Sequence, residues 1–200
     1  MIRESEAGME IGCVILASGE SVRFGSNKLL ADFCGKPLLT HLLDALPGGL
    51  TTVVVTRSVA VCELAKANGF RCLLHRQPEV RDTIRLGLAA LPDTEGCLFC
   101  VGDQPLLTAE TIQKVVDAYR EDPTRIVRAA YGERQGNPAL FPPSLYGELA
   151  TLAEGEAGVT VIRRHPELVR TVQAAFAEEL ADADTPEALE ALQKLIQPKE

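Results

Sequence analysis

From Gly12 to the C-terminus, short β-rich runs alternate with stretches in which apolar residues recur at helical spacing. That alternation narrows the options sharply, because strands separated by helices pair in parallel and need helices to cover them. The expectation is an α/β fold with a mostly parallel central sheet. Ile11-Gly12-Cys13-Val14-Ile15-Leu16 is a continuous apolar run. A strand buried on both faces requires such a run, so this one is expected at the centre of the sheet.

The remaining elements follow from punctuation and period. Pro37 suits a first helical turn, and Leu38, Leu39, Leu42, Leu43 and Leu46 recur at helical spacing until Pro47-Gly48-Gly49 stops the helix. Further strands are expected over 51–56, 71–75, 97–101, 126–131, 138–141 and 169–172. Further helices are expected over 59–68, 82–91 and 108–120, then two short ones within 142–165. A last helix begins at Thr185-Pro186 and ends near Ile196. A chain of 200 residues with 46% hydrophobic content can build one well-buried core, which gives a flexible tail over 1–10 and a single domain over 11–200.

Twenty-eight acidic residues against 20 basic ones give a net charge of −8. That balance argues against a broad nucleic-acid-binding surface, so an anionic ligand would need a local cationic pocket. The six cysteines sit in apolar segments of a chain too large to need stapling, and buried free thiols are expected. Cys97 and Cys100 form C-x-x-C, but on a strand their sulfurs point to opposite faces, which disfavours a zinc or redox pair. Met1 to Glu10 is polar and acidic, unlike a secretory signal, and no stretch approaches a membrane span, so a cytoplasmic location with no membrane partner is expected.

The chemistry is expected in the segment after the first strand, Leu16-Ala17-Ser18-Gly19-Glu20-Ser21-Val22-Arg23-Phe24-Gly25-Ser26-Asn27-Lys28. It lies at the carboxyl end of a central strand, where open α/β sheets bind ligands. Gly19 and Gly25 allow close backbone approach, while Arg23 and Lys28 supply cationic donors suited to a triphosphate. Neither G-x-x-x-x-G-K-[ST] nor G-x-G-x-x-G occurs there, so kinase and dehydrogenase templates do not fit. Asp103 follows the strand over 97–101 directly, which puts a hard carboxylate at the same edge.

The pattern Leu-Ala-x-Gly-x-Ser-x-Arg-x-Gly-x-x-Lys over 16–28 resembles the opening motif of the nucleotidyltransferases that mature the molybdenum cofactor. Gly102-Asp103-Gln104-Pro105, Gly136-Asn137-Pro138-Ala139-Leu140-Phe141 and Asp182-Ala183-Asp184-Thr185-Pro186 fall in the same order, so the resemblance covers nearly the whole chain. It implies a Rossmann-like three-layer sandwich of the nucleotide-diphospho-sugar transferase type. It also implies a Mg²⁺-dependent transfer of a nucleoside monophosphate. Lys28, Arg23 and Asp103 are then the catalytic candidates, and Leu16, Ala17, Ser18, Gly19, Ser21, Arg23, Gly25, Lys28, Thr83 and Gly102 the nucleotide-binding ones. Asp103 and Asp184 are the metal candidates, with Asp182 as the alternative to Asp184.

Within that resemblance, guanine-using members carry Gly-Gly after Leu-Ala and cytosine-using members a small non-glycine residue, so Ser18 favours CTP over GTP. Molybdopterin is the leading acceptor, with a molybdoenzyme as client. Arg81-Asp82-Thr83-Ile84-Arg85-Leu86-Gly87-Leu88 departs from the usual serine run and is closer to cytidylyltransferases acting on sugar-alcohol phosphates, which keeps that acceptor open. A nucleotide-binding delivery protein is the non-catalytic alternative. Arg163-Arg164-His165 reads as charge at a helix end, and His41 and His75 receive no role.

Overall fold

The computed structural model describes residues 9–19, 21 and 24–196. The first eight residues of the expected tail therefore lie outside the described residues. Met9 already packs against the core, and Glu10 is tied to Glu95 by backbone and side-chain hydrogen bonds.

In chain order the elements are β1 (Ile11–Ala17), β2 (Asp32–Phe33), β3 (Lys36–Pro37), α1 (Leu38–Ala45), β4 (Leu50–Thr56), α2 (Val59–Ala67), β5 (Arg71–Leu74) and α3 (Val80–Ala89). They continue as β6 (Gly96–Val101), α4 (Ala109–Glu121), β7 (Ile126–Tyr131), β8 (Arg134–Phe141), α5 (Tyr146–Ala150), α6 (Gly158–Arg164), β9 (Val169–Gln173) and α7 (Pro186–Ile196). Seven strands form one sheet in the order β5-β4-β1-β6-β8-β7-β9. All pairings are parallel except those of β8, which runs against both β6 and β7. The fold is thus the expected α/β sandwich with a mostly parallel sheet, and β1 is central, between β4 and β6.

The two faces of the sheet carry separate cores, as strand alternation requires. Cys13 and Ile15 of β1 and Leu98 and Cys100 of β6 meet α1, α4 and α7 on one side. Val14, Cys97 and Phe99 meet α3, α5 and α6 on the other. The two sulfurs of C-x-x-C therefore do face apart. α3 lies tight against β1 at Gly87, where a Cβ would lie 2.4 Å from Val14 Cγ1.

Three local features differ from the sequence reading. A small β2–β3 hairpin turns through Cys34 (φ 52°) and Gly35 (φ 89°), the paired positive φ values of a tight hairpin turn. β8 begins at Arg134 rather than Pro138, because its polar first residues pair only with the end of β7. The cysteines are not all free thiols: Cys62 of α2 and Cys72 of β5 are bonded, with Cα atoms 5.6 Å apart, and Cys34 is exposed. Packing α2 alongside β5 brings those two side chains face to face, a juxtaposition that composition does not reveal.

Candidate active site

β1 ends at Ala17 and releases the loop expected to carry the chemistry at the carboxyl edge of the parallel strands. The loop is held in shape by its own polar groups. Ser21, at φ 52°, accepts the Phe24 N–H through its carbonyl at 2.9 Å and the Lys28 N–H through its hydroxyl at 3.2 Å. Gly25 adopts φ 73°, a left-handed conformation that side chains rarely take. Asn27 accepts the Leu29 N–H and caps the short helical turn that starts at Lys28. Arg23 lies outside the described residues.

These constraints aim the Lys28 side chain inward. Its ammonium donates to Asp103 Oδ2 at 2.5 Å and to Asp184 Oδ1 at 2.7 Å, with the residue only 8% exposed. Burial works against the charged form, but the two carboxylates outweigh it and hold the Lys28 pKa above its ordinary value. The segment before α7 is fastened to the turn after β6. Ala183 N–H donates to the Asp103 carbonyl at 2.9 Å, and Gln104 Nε2 donates to Asp182 Oδ1 at 2.9 Å. Desolvation in the cleft, together with the neighbouring Asp103 carboxylate, pushes the Asp182 pKa up. The Lys28 ammonium thus bridges two carboxylates, Asp103 and Asp184, while Asp182 stands near enough to feel the Asp103 charge. Among the described residues no three His, Cys, Asp or Glu side chains enclose a metal by themselves. Asp103 and Asp184 are the pair that meets at one point.

Above this cluster lies a cleft of about 330 Å³ lined by Leu16, Ala17, Ser18, Gly19, Lys28, Leu29, Pro78, Val80, Thr83, Val101 and Asp103. Six of the expected nucleotide-binding residues are therefore at its wall: Leu16, Ala17, Ser18, Gly19, Lys28 and Thr83. A Cβ at Gly19 would meet no protein atom within 4 Å, so the space beside it is open to a ligand. Gly102 sits behind the wall: its N–H donates to Leu16 O, and a Cβ there would press on Leu29 and Leu39 at 3.3 Å. Ser21 shapes the loop, as described above.

Pro78, Val80 and His75 were not anticipated. His75 follows β5 directly and lies behind Ser18, with Nε2 2.8 Å from Ser18 Oγ. The signal was available, since it too comes at the carboxyl end of a parallel strand. Arg164 and His165, by contrast, bond Glu156 and Glu148 away from the cleft.

A family model described as the MobA-like NTP transferase domain matches residues 13–174. The chain belongs to this family. Bifunctional protein GlmU of Bacillus subtilis is 32% identical over 145 residues, covering 61% of this chain and 32% of that protein. The GlmU protein of Bifidobacterium animalis subsp. lactis is 28% identical over 155 residues, covering 71% of this chain and 32% of that protein. The chain thus spans about a third of the length of these curated relatives. Among solved structures, Rv0371c from Mycobacterium tuberculosis H37Rv superposes with a TM-score of 0.81 at 23% identity, over 93% of this chain and 98% of that one. It has also been solved with manganese. CMP:2-keto-3-deoxy-manno-octonic acid synthetase complexed with CTP superposes at 0.77 with 16% identity, over 94% and 98%. These structural likenesses establish a shared fold. No helix among the described residues is long and apolar enough to cross a membrane.

Proposed function

We propose that this chain transfers CMP from CTP to a phosphorylated acceptor, molybdopterin, releasing pyrophosphate, with Mg²⁺ as cofactor. The observation that carries the reading is the meeting of Lys28, Asp103 and Asp184 at a cleft whose wall includes Lys28 and Asp103 together with Ser18, Pro78, Val80 and Thr83. The charged groups suit the triphosphate, and the neutral part of the wall suits the base. Gly19 leaves room for phosphate oxygens against the backbone, and Ser18 narrows the base end in favour of a pyrimidine.

In the proposed reaction, an oxygen of the acceptor phosphate attacks the α-phosphorus of CTP in line. The new O–P bond forms as the bond from the α-phosphorus to its bridging oxygen breaks, and pyrophosphate leaves with that electron pair. The attacking phosphate is already ionised at neutral pH, so alignment and charge neutralisation supply the rate. Lys28 hands over at least one of its carboxylates to donate to the phosphates, and Arg23 is proposed to assist from the same loop. Mg²⁺, when bound, supplies neutralisation across the phosphates; Asp103 and Asp184 would hold it, matching a cation that takes one or two carboxylates and completes its shell with water and phosphate oxygens.

A second chamber of about 210 Å³ shares Leu16, Val80 and Val101 with the first and is walled by Phe99, Ala139, Phe141 and Ile162, with Asn137 and Arg128 as its polar groups. A flat ring system, with apolar walls against its faces and Asn137 and Arg128 for its polar edge, suits it better than a polyol. Arg81, the residue that favoured a sugar-alcohol phosphate, bonds the Glu79 side chain and lines a separate groove with Asp82 and Arg85.

Mass spectrometry of products from purified protein, Mg²⁺, molybdopterin and each of CTP, GTP, UTP and ATP tests the proposal. The expected product is the cytidine dinucleotide form of molybdopterin plus pyrophosphate. A guanine product, transfer to a sugar-alcohol phosphate alone, or nucleotide binding without pyrophosphate release would overturn it.

A further inference from the structure

We infer that His75, fixed by Gln77, orients the Ser18 hydroxyl so that the base end of the cleft presents only hydrogen-bond acceptors at that point, selecting a base whose edge carries an amino group over one carrying an oxo group. The inference rests on the nucleotide reading above and deepens it: it names a positioning residue and a stated discrimination, cytosine against uracil.

His75 is buried, and its backbone N–H is fixed by the Thr56 carbonyl at 3.0 Å. Its Nδ1 lies 3.2 Å from Gln77 Oε1, and its Nε2 lies 2.8 Å from Ser18 Oγ and 3.4 Å from Thr83 Oγ1. Gln77 Oε1 also accepts the Arg76 N–H at 3.2 Å, which requires oxygen rather than the amide nitrogen at that place. An oxygen facing Nδ1 needs a proton there, so the network assigns the ring proton to Nδ1 and leaves Nε2 able only to accept. Desolvation lowers the His75 pKa, which keeps the ring neutral near pH 7.

Ser18 has one hydroxyl proton and two inward acceptors for it, His75 Nε2 at 2.8 Å and the Val55 carbonyl at 3.2 Å. Either choice turns the proton away from the cleft that Ser18 lines, so lone pairs face the ligand. The exocyclic amine of cytosine can donate to them. The corresponding oxygen of uracil meets lone pair with lone pair, and turning the Ser18 proton outward to greet it forfeits the bond to Nε2. Thr83, at the limit of hydrogen-bond reach, replaces that bond poorly.

Two measurements test this. In the nucleotide-free protein, ¹⁵N NMR of histidine should find the His75 proton on Nδ1; a proton on Nε2 overturns the inference. The ratio of kcat/KM for CTP over UTP is then compared in wild type, Gln77→Leu and Gln77→Glu. Gln77 is exposed, so these variants should fold. Leucine frees the ring proton to move to Nε2, where it donates to Ser18 and leaves the hydroxyl proton only the longer Val55 contact as an inward alternative to the cleft. The CTP preference should then fall by about tenfold, through a lower KM for UTP. Glutamate keeps an acceptor at Nδ1 and should restore the preference. A wild-type ratio in Gln77→Leu overturns the inference while leaving the proposed reaction intact. If the protein uses GTP instead, the base assignment fails on its own account. The wall is then read from GTP against ITP, which differ only in the amino group, and equal use of those two overturns it.

Discussion

Lys28 and Asp103, 75 positions apart in the chain, meet at 2.5 Å beneath the cleft, and Asp184 closes on the same ammonium at 2.7 Å. One residue comes from the loop after β1, one from the turn after β6 and one from the approach to α7. Their meeting makes Lys28 both a structural tie and the group best placed to reach a phosphate. Losing Lys28 is expected to harm turnover more than folding, and its burial between two carboxylates implies a cost to both.

Lys28→Ala should therefore lower kcat by about a hundredfold or more, the loss typical of a donor to developing charge. Stability should also fall by on the order of 2 kcal/mol, because the Asp103 carboxylate is left without its counter-charge. Urea unfolding beside steady-state kinetics separates the two effects. Mg²⁺ without nucleotide should raise the Tm of this variant more than that of wild type, since the carboxylates no longer hold an ammonium.

Gly87→Ala should destabilise the fold despite the better helix former. The intrinsic helical gain is about 1 kcal/mol, whereas the new Cβ at 2.4 Å from Val14 Cγ1 overpacks a contact between layers, typically costing about 1–3 kcal/mol. Denaturant midpoints should fall for Gly87→Ala. Val14→Ala in the same chain should recover part of the loss, giving a coupling energy in a double-mutant cycle.

His75 contributes a pH dependence whose sign follows from its lowered pKa. Desolvation and the nearby Arg57 charge favour the neutral ring, opposed by the Gln77 bond and Asp82. The unfolded chain therefore binds more protons than the fold below about pH 6.5. This contribution is present above that pH and is lost as the pH falls through the folded-state pKa. An NMR titration should find His75 below 6.5, and His75→Phe should flatten that limb of the stability curve.

Alkylation of the unfolded, unreduced protein should modify four cysteines, Cys13, Cys34, Cys97 and Cys100, and reduction should expose Cys62 and Cys72 as well. Cross-linking positions 10 apart should contribute about 2–3 kcal/mol in the chain-entropy account. Reducing agent should accordingly lower Tm.

Much of this architecture was readable from local pattern. The apolar run over 11–16 could only be a buried strand, and Thr108, Thr185 and Pro186 opened their helices as their chemistry requires. Lys28 and Asp103 were legible because each follows a central strand at the edge where such sheets bind ligands. Their direct contact was not, since it depends on loop conformation set by Ser21 and Asn27. His75 passed as an ordinary strand residue because its role arises only when β5 lies beside β4 and brings it against Ser18. The Cys62–Cys72 pairing was hidden for the same reason, being a consequence of how α2 lies on β5. The Arg134–Gly136 start of β8 was missed because its residues are polar and pair on one side only.

The most direct measurement is single-turnover release of pyrophosphate from CTP with Mg²⁺ and molybdopterin, comparing wild type with Asp103→Asn, a substitution that keeps size and removes charge. Wild type should release one pyrophosphate per CMP transferred, and Asp103→Asn should be slower by about a hundredfold or more. Equal rates from the two proteins would contradict the claim that Lys28, together with a cation held by Asp103, positions the nucleotide's phosphates for transfer.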